Sequence, residues 1–414
     1  MSFAFRNHEI VAAAGSDIVP ATTVYMKITE LRTVVVNAGM RNWVFVRVDT
    51  DMPGLFGWGE GSLEWKTKSI VGAIEDFAPM VIGEDPQRIE HLYQKMYRQS
   101  FWRTGVIGLS AISAIEQALW DIKGRQLGVP VYQLLGGRVR DKVRMYTTLG
   151  GGDMSVVSEN WDIGPLLELA QQVIAQGYTA IKVLFVPHSE PVEGITKIRQ
   201  LAGLFRRLRE AVGEQIDIMI DFHGRTSPAM AVQYIHAIEE FRPYFCEEPV
   251  PPENVGSLRD VRQATRVPLA TGERLVTRHQ FRELFEQRAC HVVQPDLCHC
   301  GGLWEARKIA AMAEVYDMGV APHNPLGPVA NAAALHFALA TPNFLIQEDM
   351  ITDVPWRWDV VQSPLHSENG YWLPSEQPGL GIDVNEEAAR KHPYAAEVMP
   401  STRVRAADGA ILDW

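Results

Sequence analysis

The sequence is poor in cysteine. Only four of its 414 residues are cysteines, all of them in the second half, and their spacing does not form a disulfide framework. The Cys-His-Cys run at 298–300 lacks a second Cys/His pair at zinc-site spacing, which disfavours a zinc site. Because no signal-peptide pattern is recognisable either, we expect a cytoplasmic protein.

Positive charge and uninterrupted apolar runs are also scarce. Asp and Glu number 50 against 39 Lys and Arg, and the net charge of −11 would repel nucleic acid and anionic membranes. A long segment without Asp, Glu, Lys or Arg lies between Asp317 and Glu348, but four prolines interrupt it. We interpret it as strand, loop, helix and strand rather than as a membrane span. We therefore expect neither a nucleic-acid nor a membrane partner.

Length and composition predict a globular protein of two or three domains, with 46% hydrophobic and 21% charged residues. Residues 1–25 carry little pattern and are interpreted as an N-terminal arm. Residues 26–140 are typical of a small α+β unit. Two β-like runs joined by the turn-like NAGMRN come first, and a later amphipathic helix pattern ends at Gly128, before Pro130.

A different pattern occupies residues 141–350, where short β-like runs alternate with helix-length amphipathic stretches. Such alternation predicts a parallel sheet, and eight strands in about 210 residues fit a TIM-type barrel better than an open sheet. The eight runs are VRMYTTL, YTAIKVLF, IDIMID, YFCEE, VPLATGE, HVVQPD, GVAPH and NFLIQE.

Ionisable residues follow or end six of these runs. Successive members are 26, 26, 23, 27 and 25 residues apart, close to one strand-plus-helix unit each time. Because equivalent strand ends converge at one mouth of a closed barrel, we expect a shared site. His223 belongs to it, since side chains two apart on a strand point the same way. The six residues are Asp221, Glu247, Glu273, Asp296, His323 and Glu348.

Three of these acids, on successive strands, predict a metal site. Asp221, Glu247 and Glu273 cannot be ionised together in a low-dielectric site without a cation, because like charges repel strongly there. An all-oxygen ligand set without Cys or paired His selects Mg²⁺ over zinc. Surface acids neutralised by nearby basic residues would explain any one of them, but three consecutive strands favour the metal.

The two histidines suggest the chemistry. His223 and His323 would flank the metal from opposite sides, and Asp296 would orient His323 as a base. Such a site could remove the proton beside a carboxylate, stabilise the enediolate with Mg²⁺ and expel a β-hydroxyl with the proton of the second histidine.

At this point a family resemblance becomes specific. The sequence resembles the enolase superfamily, mandelate racemase group, and within it the galactonate dehydratases and neighbouring acid-sugar dehydratases. The resemblance covers nearly the whole chain from Met26 onward and includes SAISAIEQALWDIKG, LLGGRVRDKV and PGLGIDV. The ordered barrel motifs that carry it are KVL, DFHGR, EEP, TGE, QPDLCHCGG, APHNPLGP and QE.

The resemblance implies an α/β fold in which a modified TIM barrel, (β/α)7β, lies under an α+β capping domain, with residues 351–414 completing the cap. It also implies a homo-oligomer and a small acid-sugar substrate. The residue roles that it implies are Mg²⁺ ligands at Asp221, Glu247 and Glu273, the base dyad His323 and Asp296, the general acid His223, and Glu348 as partner of the substrate carboxylate. Further candidate substrate contacts are Lys182, Arg225 and Trp356.

Two positions depart from the family pattern. Many members carry a second lysine base two residues after Lys182, whereas Leu184 stands here, which disfavours a two-base racemase. Asn324 stands where galactonate dehydratases tend to carry Cys or another small residue. Mannonate dehydratases, which usually have DVHHR and lack the QPD dyad, fit less well.

The sequence therefore predicts a Mg²⁺-dependent aldonate dehydratase, a hydro-lyase that gives a 2-keto-3-deoxy acid, with galactonate as the first substrate to test and gluconate next. One alternative keeps the site but opens the ring of a sugar-acid lactone or anhydro-sugar acid, as a cycloisomerase. An inactive binding or structural descendant and a dinuclear zinc hydrolase are the alternatives from other classes. The complete polar set disfavours the former, and the absence of His-x-His on the first strand disfavours the latter.

Overall fold

A computed structural model gives the fold of the chain. No helix among the residues it describes is long and apolar enough to cross a membrane. The predicted arm at 1–25 lies outside the described residues. These residues are 26–103, 105–150, 162–351, 353–397, 404–406 and 408–413.

The N-terminal unit is an antiparallel meander packed against helices. Strands β1 and β2 pair along their whole length through the turn at Gly39, whose φ of +74° suits glycine. The third strand, β3, pairs with β2 and lies on the long helix α3. The elements are β1 Ile28–Ala38, β2 Arg41–Thr50, β3 Phe56–Glu60, α1 Thr67–Val81, α2 Ile89–Gln99, α3 Gly105–Leu127 and α4 Val131–Leu134.

Eight strands and seven helices then alternate, as the sequence predicts. The strands are β4 Val143–Thr148, β5 Ala180–Val183, β6 Asp217–Asp221, β7 Cys246–Glu247, β8 Leu269–Thr271, β9 Val292–Val293, β10 Gly319–Val320 and β11 Gln347–Glu348. The helices are α5 Gly164–Ala175, α6 Ile195–Val212, α7 Pro228–Ile238, α8 Val255–Ala264, α9 Thr277–Gln287, α10 Leu303–Val315 and α11 Pro328–Ala340.

The parallel strands close into a barrel. Each strand from β4 to β9 pairs with the next, β11 pairs with β4, and an isolated parallel bridge joins Val320 of β10 to Phe344, in the segment that leads into β11. The closed ring confirms the predicted (β/α)7β barrel beneath an N-terminal α+β domain. In a closed parallel barrel the carboxyl ends of all strands lie at one mouth.

The segment after the barrel returns to the N-terminal unit. His392 O accepts from Asn37 N at 2.8 Å, and Arg125 pairs with Asp383 at 2.9 Å. Its β13–β14 hairpin also pairs antiparallel with β4, so the segment contacts both units. The elements here are β12 Val361–Gln362, β13 Ser367–Glu368, β14 Tyr371–Trp372, β15 Asp383–Val384 and α12 Glu386–Ala389.

Two fully buried glutamates join the N-terminal unit to the barrel. Glu116 on α3 accepts from the backbone N–H groups of Leu303 and Trp304, at 2.8 and 3.0 Å, where α10 begins. Glu60 on β3 accepts from Gly327 and Ala330, at 2.7 and 2.8 Å, where α11 begins. Carboxylates satisfy the exposed N–H groups and the positive dipole end of a helix. Each glutamate therefore caps a barrel helix from outside the barrel.

Candidate active site

The candidate site is a cavity of about 130 Å³ at the mouth of the barrel. Barrel residues form its floor and sides, and the N-terminal unit forms part of its wall through Met40, Arg41, Glu64 and Trp65. The barrel residues that line it are Thr148, Lys182, Leu184, Asp221, His223, Glu273, His323, Pro325, Glu348 and Met350. The cavity therefore lies between the two units.

Three carboxylates meet at this end of the barrel, and two of them, Asp221 and Glu273, line the cavity. Asp221 ends β6, Glu247 ends β7 and Glu273 follows β8, so each comes from the next strand round the barrel. One oxygen of each lies within 4.8 Å of the others. Asp221 and Glu247 are buried, and Glu273 is 15% exposed at its side chain.

This acidic group fits a hard divalent cation. Burial raises the pKa of Glu247 despite the nearby Lys182, and burial raises the pKa of Glu273 to about 7 despite His323. Glu273 Oε2 is buried and accepts no hydrogen bond from any residue that the structure describes. A cation among these oxygens would favour their ionised forms and supply the missing partner. The donor set is therefore consistent with a divalent metal ion.

His323 and Asp296 form a close pair beside the acids. His323 Nδ1 lies 2.7 Å from Asp296 Oδ2, and Nε2 lies 3.4 Å from Glu273 Oε2. Burial would lower the pKa of His323, but Glu273 and Asp296 hold it well above its usual value. Because Nδ1 donates to Asp296, Nε2 is the nitrogen that faces the acids and the cavity.

His223 lies on the opposite side of the same acids. Its Nε2 is 3.4 Å from Asp221 Oδ2, and its φ of +52° turns the chain sharply just after β6. Burial lowers the pKa of His223 to about 3, against the attraction of Asp221. The ring is therefore neutral near pH 7 in this arrangement.

Lys182 and Glu348 bind each other at the centre of the floor. Lys182 Nζ lies 2.9 Å from both Glu348 Oε1 and Glu247 Oε2. Burial would lower the pKa of Lys182, but these carboxylates hold it well above its usual value. Burial would raise the pKa of Glu348, yet Lys182 and His323 lower it to about 2. Glu348 is thus ionised, and it also accepts from Thr148 Oγ1 and the backbone of Asn324.

Two sequence candidates lie away from the cavity. Arg225 is buried behind His223, where it donates to Val186 O at 2.9 Å and reaches His223 Nδ1 at 3.4 Å. Trp356 stacks on the His392 ring, with centroids 4.3 Å apart, and donates to Asn37 O. Neither residue is among those that line the cavity. Leu184 does line it.

Several lining residues were not predicted from the sequence. Thr148 ends β4 but is uncharged, so it did not stand out among the strand ends. Arg41 and Glu64 pair at 2.9 Å in the wall that the N-terminal unit provides. Glu64 and Trp65 belong to the stretch GEGSLEWKTKS at 59–69, whose unusual sequence could have marked it as a candidate part of the site. The turn before Arg41 has no such feature.

Fold and site together define a class of protein. Residues 165–388 match the family model for enolase C-terminal domain-like proteins. Residues 20–136 match the model for the N-terminal domain of mandelate racemase and muconate lactonizing enzyme. The chain belongs to the mandelate racemase/muconate lactonizing enzyme group of the enolase superfamily, and its N-terminal unit is the capping domain of that fold.

The chain is also similar to individual proteins over most of its length. The chain is 39% identical over 399 residues to D-galactonate dehydratase of Xanthomonas campestris pv. campestris, covering 94% of this chain and 100% of that one. A mandelate racemase/muconate lactonizing enzyme-like protein from Roseovarius sp. TM1035 has a TM-score of 0.82 at 36% identity, covering 90% and 96% of the two chains. An enolase from Pantoea ananatis with bound D-gluconate and Mg has a TM-score of 0.83 at 29% identity, covering 94% and 100%.

Proposed function

We propose that this protein is a Mg²⁺-dependent acid-sugar dehydratase, a hydro-lyase that converts an aldonate into a 2-keto-3-deoxy acid. One observation carries the proposal: three carboxylates from successive strands lie between two histidines, one of which is paired with an aspartate. Similarity to D-galactonate dehydratases over the full length of those chains supports the same reaction class.

His323 is the proposed base. Asp296 holds its Nδ1 at 2.7 Å, which leaves Nε2 toward the cavity. Nε2 would accept the C2 proton once a cation at the acids offsets the attraction of Glu273, which otherwise keeps the pKa of His323 high. Asp296 also accepts from the backbone of Cys298, so its own position is fixed. Leu184 offers no proton acceptor on the other face, which favours elimination over racemisation.

Lys182 is the proposed donor to the substrate carboxylate. It lines the cavity, and it carries a positive charge in these surroundings. Glu348 is ionised, so it cannot donate to another carboxylate; we assign it to positioning Lys182, Thr148 and the backbone at Asn324. We assign Arg225 and Trp356 no direct contact with the substrate, since both lie away from the cavity.

Asp221, Glu247 and Glu273 would hold Mg²⁺. When bound, the ion supplies positive charge that stabilises the negative charge developing on the substrate as the C2 proton leaves. His223 lies across the acids from His323 and is the proposed donor to the departing 3-hydroxyl. Its neutral state near pH 7 means that it must first gain a proton before it can donate one to the departing hydroxyl.

A cytoplasmic location and a homo-oligomeric assembly are also part of the proposal. All four cysteines are buried and free, which suits a reducing cytoplasm. The homo-oligomer implied by the family stays a prediction.

A screen of diastereomeric aldonates with Mg²⁺ tests the function, with 2-keto acid formation as the readout and D-galactonate as the first compound. Glu247→Gln keeps the shape of the side chain but removes one charge from the metal site, so we expect calorimetric Mg²⁺ binding and turnover to collapse together. Glu314→Gln, on the exposed side of α10, is the matched control and should retain both. Full activity of Glu247→Gln would overturn the metal site, and a ring-opened product without loss of water would indicate a cycloisomerase.

A further inference from the structure

The loop at residues 324–327 joins the proposed base to helix α11. It begins directly after His323 and ends at Gly327, before Pro328 starts the helix. Three consecutive residues of this loop, Pro325, Leu326 and Gly327, each bond through the backbone to a buried ionisable side chain outside the barrel. Arg41 and Glu60 belong to the capping domain, and Arg357 belongs to the segment after the barrel.

Glu60 holds the end of the loop. Its two oxygens accept from Gly327 and Ala330, and Ser62 Oγ donates to it at 2.6 Å. The backbone at Gly327 packs closely against the Glu60 side chain, because a Cβ at position 327 would lie 2.5 Å from Glu60 Oε1. Gly327 has a φ of −84°, so this contact, rather than backbone conformation, explains the glycine.

Two arginines hold the middle of the loop. Arg357, 2% exposed, donates to Leu326 O at 2.6 Å and to Asp353 Oδ2 at 2.5 Å. Arg41, 4% exposed, donates to Pro325 O. Burying two guanidinium groups is costly, and a backbone carbonyl could be satisfied by a neutral side chain. Together with Glu60, the two arginines fix three consecutive backbone positions of the loop.

We propose that Glu60 and Arg357 are positioning residues for the base, acting on His323 through the 324–327 loop. The inference rests on the proposed function of His323. Proton transfer depends steeply on the geometry of donor and acceptor, and displacement of about 1 Å can cost about 100-fold in rate. The capping domain thus sets the position of a barrel side chain that it does not touch.

Glu60→Gln is the variant that tests this. Glutamine retains one acceptor oxygen, but its nitrogen cannot accept the second backbone N–H. We expect faster hydrogen–deuterium exchange in the peptide covering residues 324–331 of the full-length protein, measured without substrate. With the aldonate that the wild type dehydrates, we expect kcat to fall about 10- to 100-fold at unchanged KM. The C2-deuterium isotope effect on kcat should rise, whereas simple loss of folded enzyme would leave it unchanged.

Asp121→Asn is the matched control. Asp121 is also a buried carboxylate of the capping domain that accepts two backbone N–H groups, from Trp58 and Leu380, neither on a loop that carries a proposed catalytic residue. We expect loss of stability without a change in loop exchange or isotope effect. If Glu60→Gln does not yield folded protein, Arg357→Lys replaces it, since one ammonium group cannot serve both Leu326 O and Asp353.

The possible results separate this inference from the proposed function. An unchanged loop, or a loosened loop with unchanged kcat and isotope effect, would overturn the positioning role alone. The same kinetic change in Asp121→Asn would also overturn it, by showing a general effect of a weakened cap. No turnover of any aldonate by the wild type would instead overturn the proposed function, and with it the base on which this inference rests.

Discussion

Single residues decide the proposed chemistry, and the two histidines are the clearest case. His323 faces the acids through Nε2 with Asp296 behind it, while His223 faces them through its own Nε2 from the other side. Their surroundings move their pKa values in opposite directions, upward for His323 and downward for His223. These directions belong to the site without a cation: they leave His323 protonated and His223 neutral, and a cation at the acids would lower the pKa of His323 by offsetting the attraction of Glu273.

Variants of the two histidines separate removal of the C2 proton from loss of the 3-hydroxyl. His323→Asn should lose both exchange of the C2 hydrogen with solvent and dehydration, because it removes the proposed base. His223→Asn should lose dehydration by about 10² to 10⁴-fold, the usual worth of positioned proton transfer, but keep C2 exchange. Incubation with substrate in D₂O, followed by NMR of the C2 proton and the 2-keto product, measures both.

Two results would contradict this assignment. Deuterium incorporation by His323→Asn would require the roles to be exchanged. Its absence in His223→Asn, with Mg²⁺ binding intact by calorimetry, would indicate a concerted elimination.

At the scale of elements, the packing of β3 on α3 depends on glycines. A Cβ at Gly59 would lie 1.9 Å from Ala114 O, and a Cβ at Gly57 would lie 2.2 Å from Ala118 O. Strand and helix backbones are therefore in direct contact. This contact lies in the capping domain close to Glu60, so it also sets how far β3 reaches toward the barrel.

Gly59→Ala is expected to destabilise the protein by about 3 kcal/mol, because a rigid backbone rather than a flexible side chain must move. Gly72→Ala is the control, since Gly72 lies inside α1 with nothing within 4 Å of its Cβ position. We expect that control to be neutral or to stabilise by about 1 kcal/mol. Urea unfolding midpoints measure both, and an equal effect of the two substitutions would contradict the packing explanation.

The elements also show what the sequence could predict. All eight barrel strands were predicted in order, although β7, β9, β10 and β11 have only two residues each, because apolar runs recur at a nearly constant spacing. The same spacing predicted that the strand-end acids would converge. Arg41, Glu64 and Trp65 could not be placed at the site, because their proximity to the barrel mouth depends on how two domains pack. Local pattern carries no information on that packing.

Lys182 and Glu348 illustrate a second limit. Both were candidates for contact with the substrate. Which of the two can donate a hydrogen bond to a substrate carboxylate depends on the ion pair between them at 2.9 Å, and sequence spacing does not determine that distance. Arg225 is similar. Its position two residues after His223 placed it near the site, whereas the turn at His223 and Gly224, both with positive φ, directs it behind the imidazole.

For the whole molecule, buried carboxylates between the domains make stability depend on pH. Burial raises the pKa of Glu116 from 4.5 to about 7, even though three N–H groups donate to it. The unfolded chain therefore ionises at lower pH than the folded protein. The contribution is fully present below pH 4.5 and is lost as pH rises through about 7.

We therefore expect the wild type to lose on the order of 3 kcal/mol of stability from this residue over that range. Glu116→Gln should be less stable overall, since one acceptor is lost, but it should show a smaller decline as the pH rises. Urea unfolding across the range measures the difference, with Glu314→Gln retaining the wild-type slope. An unchanged slope in Glu116→Gln would show that the pKa of Glu116 is the same in the folded protein as in the unfolded chain.

The cap over the active site contains residues from before and after the barrel, and this order matters during synthesis. A ribosome completes all eight strands and both histidines before it adds Arg357, which reaches back to Leu326. A nascent chain can therefore display the acids at the barrel mouth while the support for the base is still missing. Premature termination after the barrel would therefore release a chain that holds every proposed catalytic group but lacks Arg357, a proposed part of the support for the base.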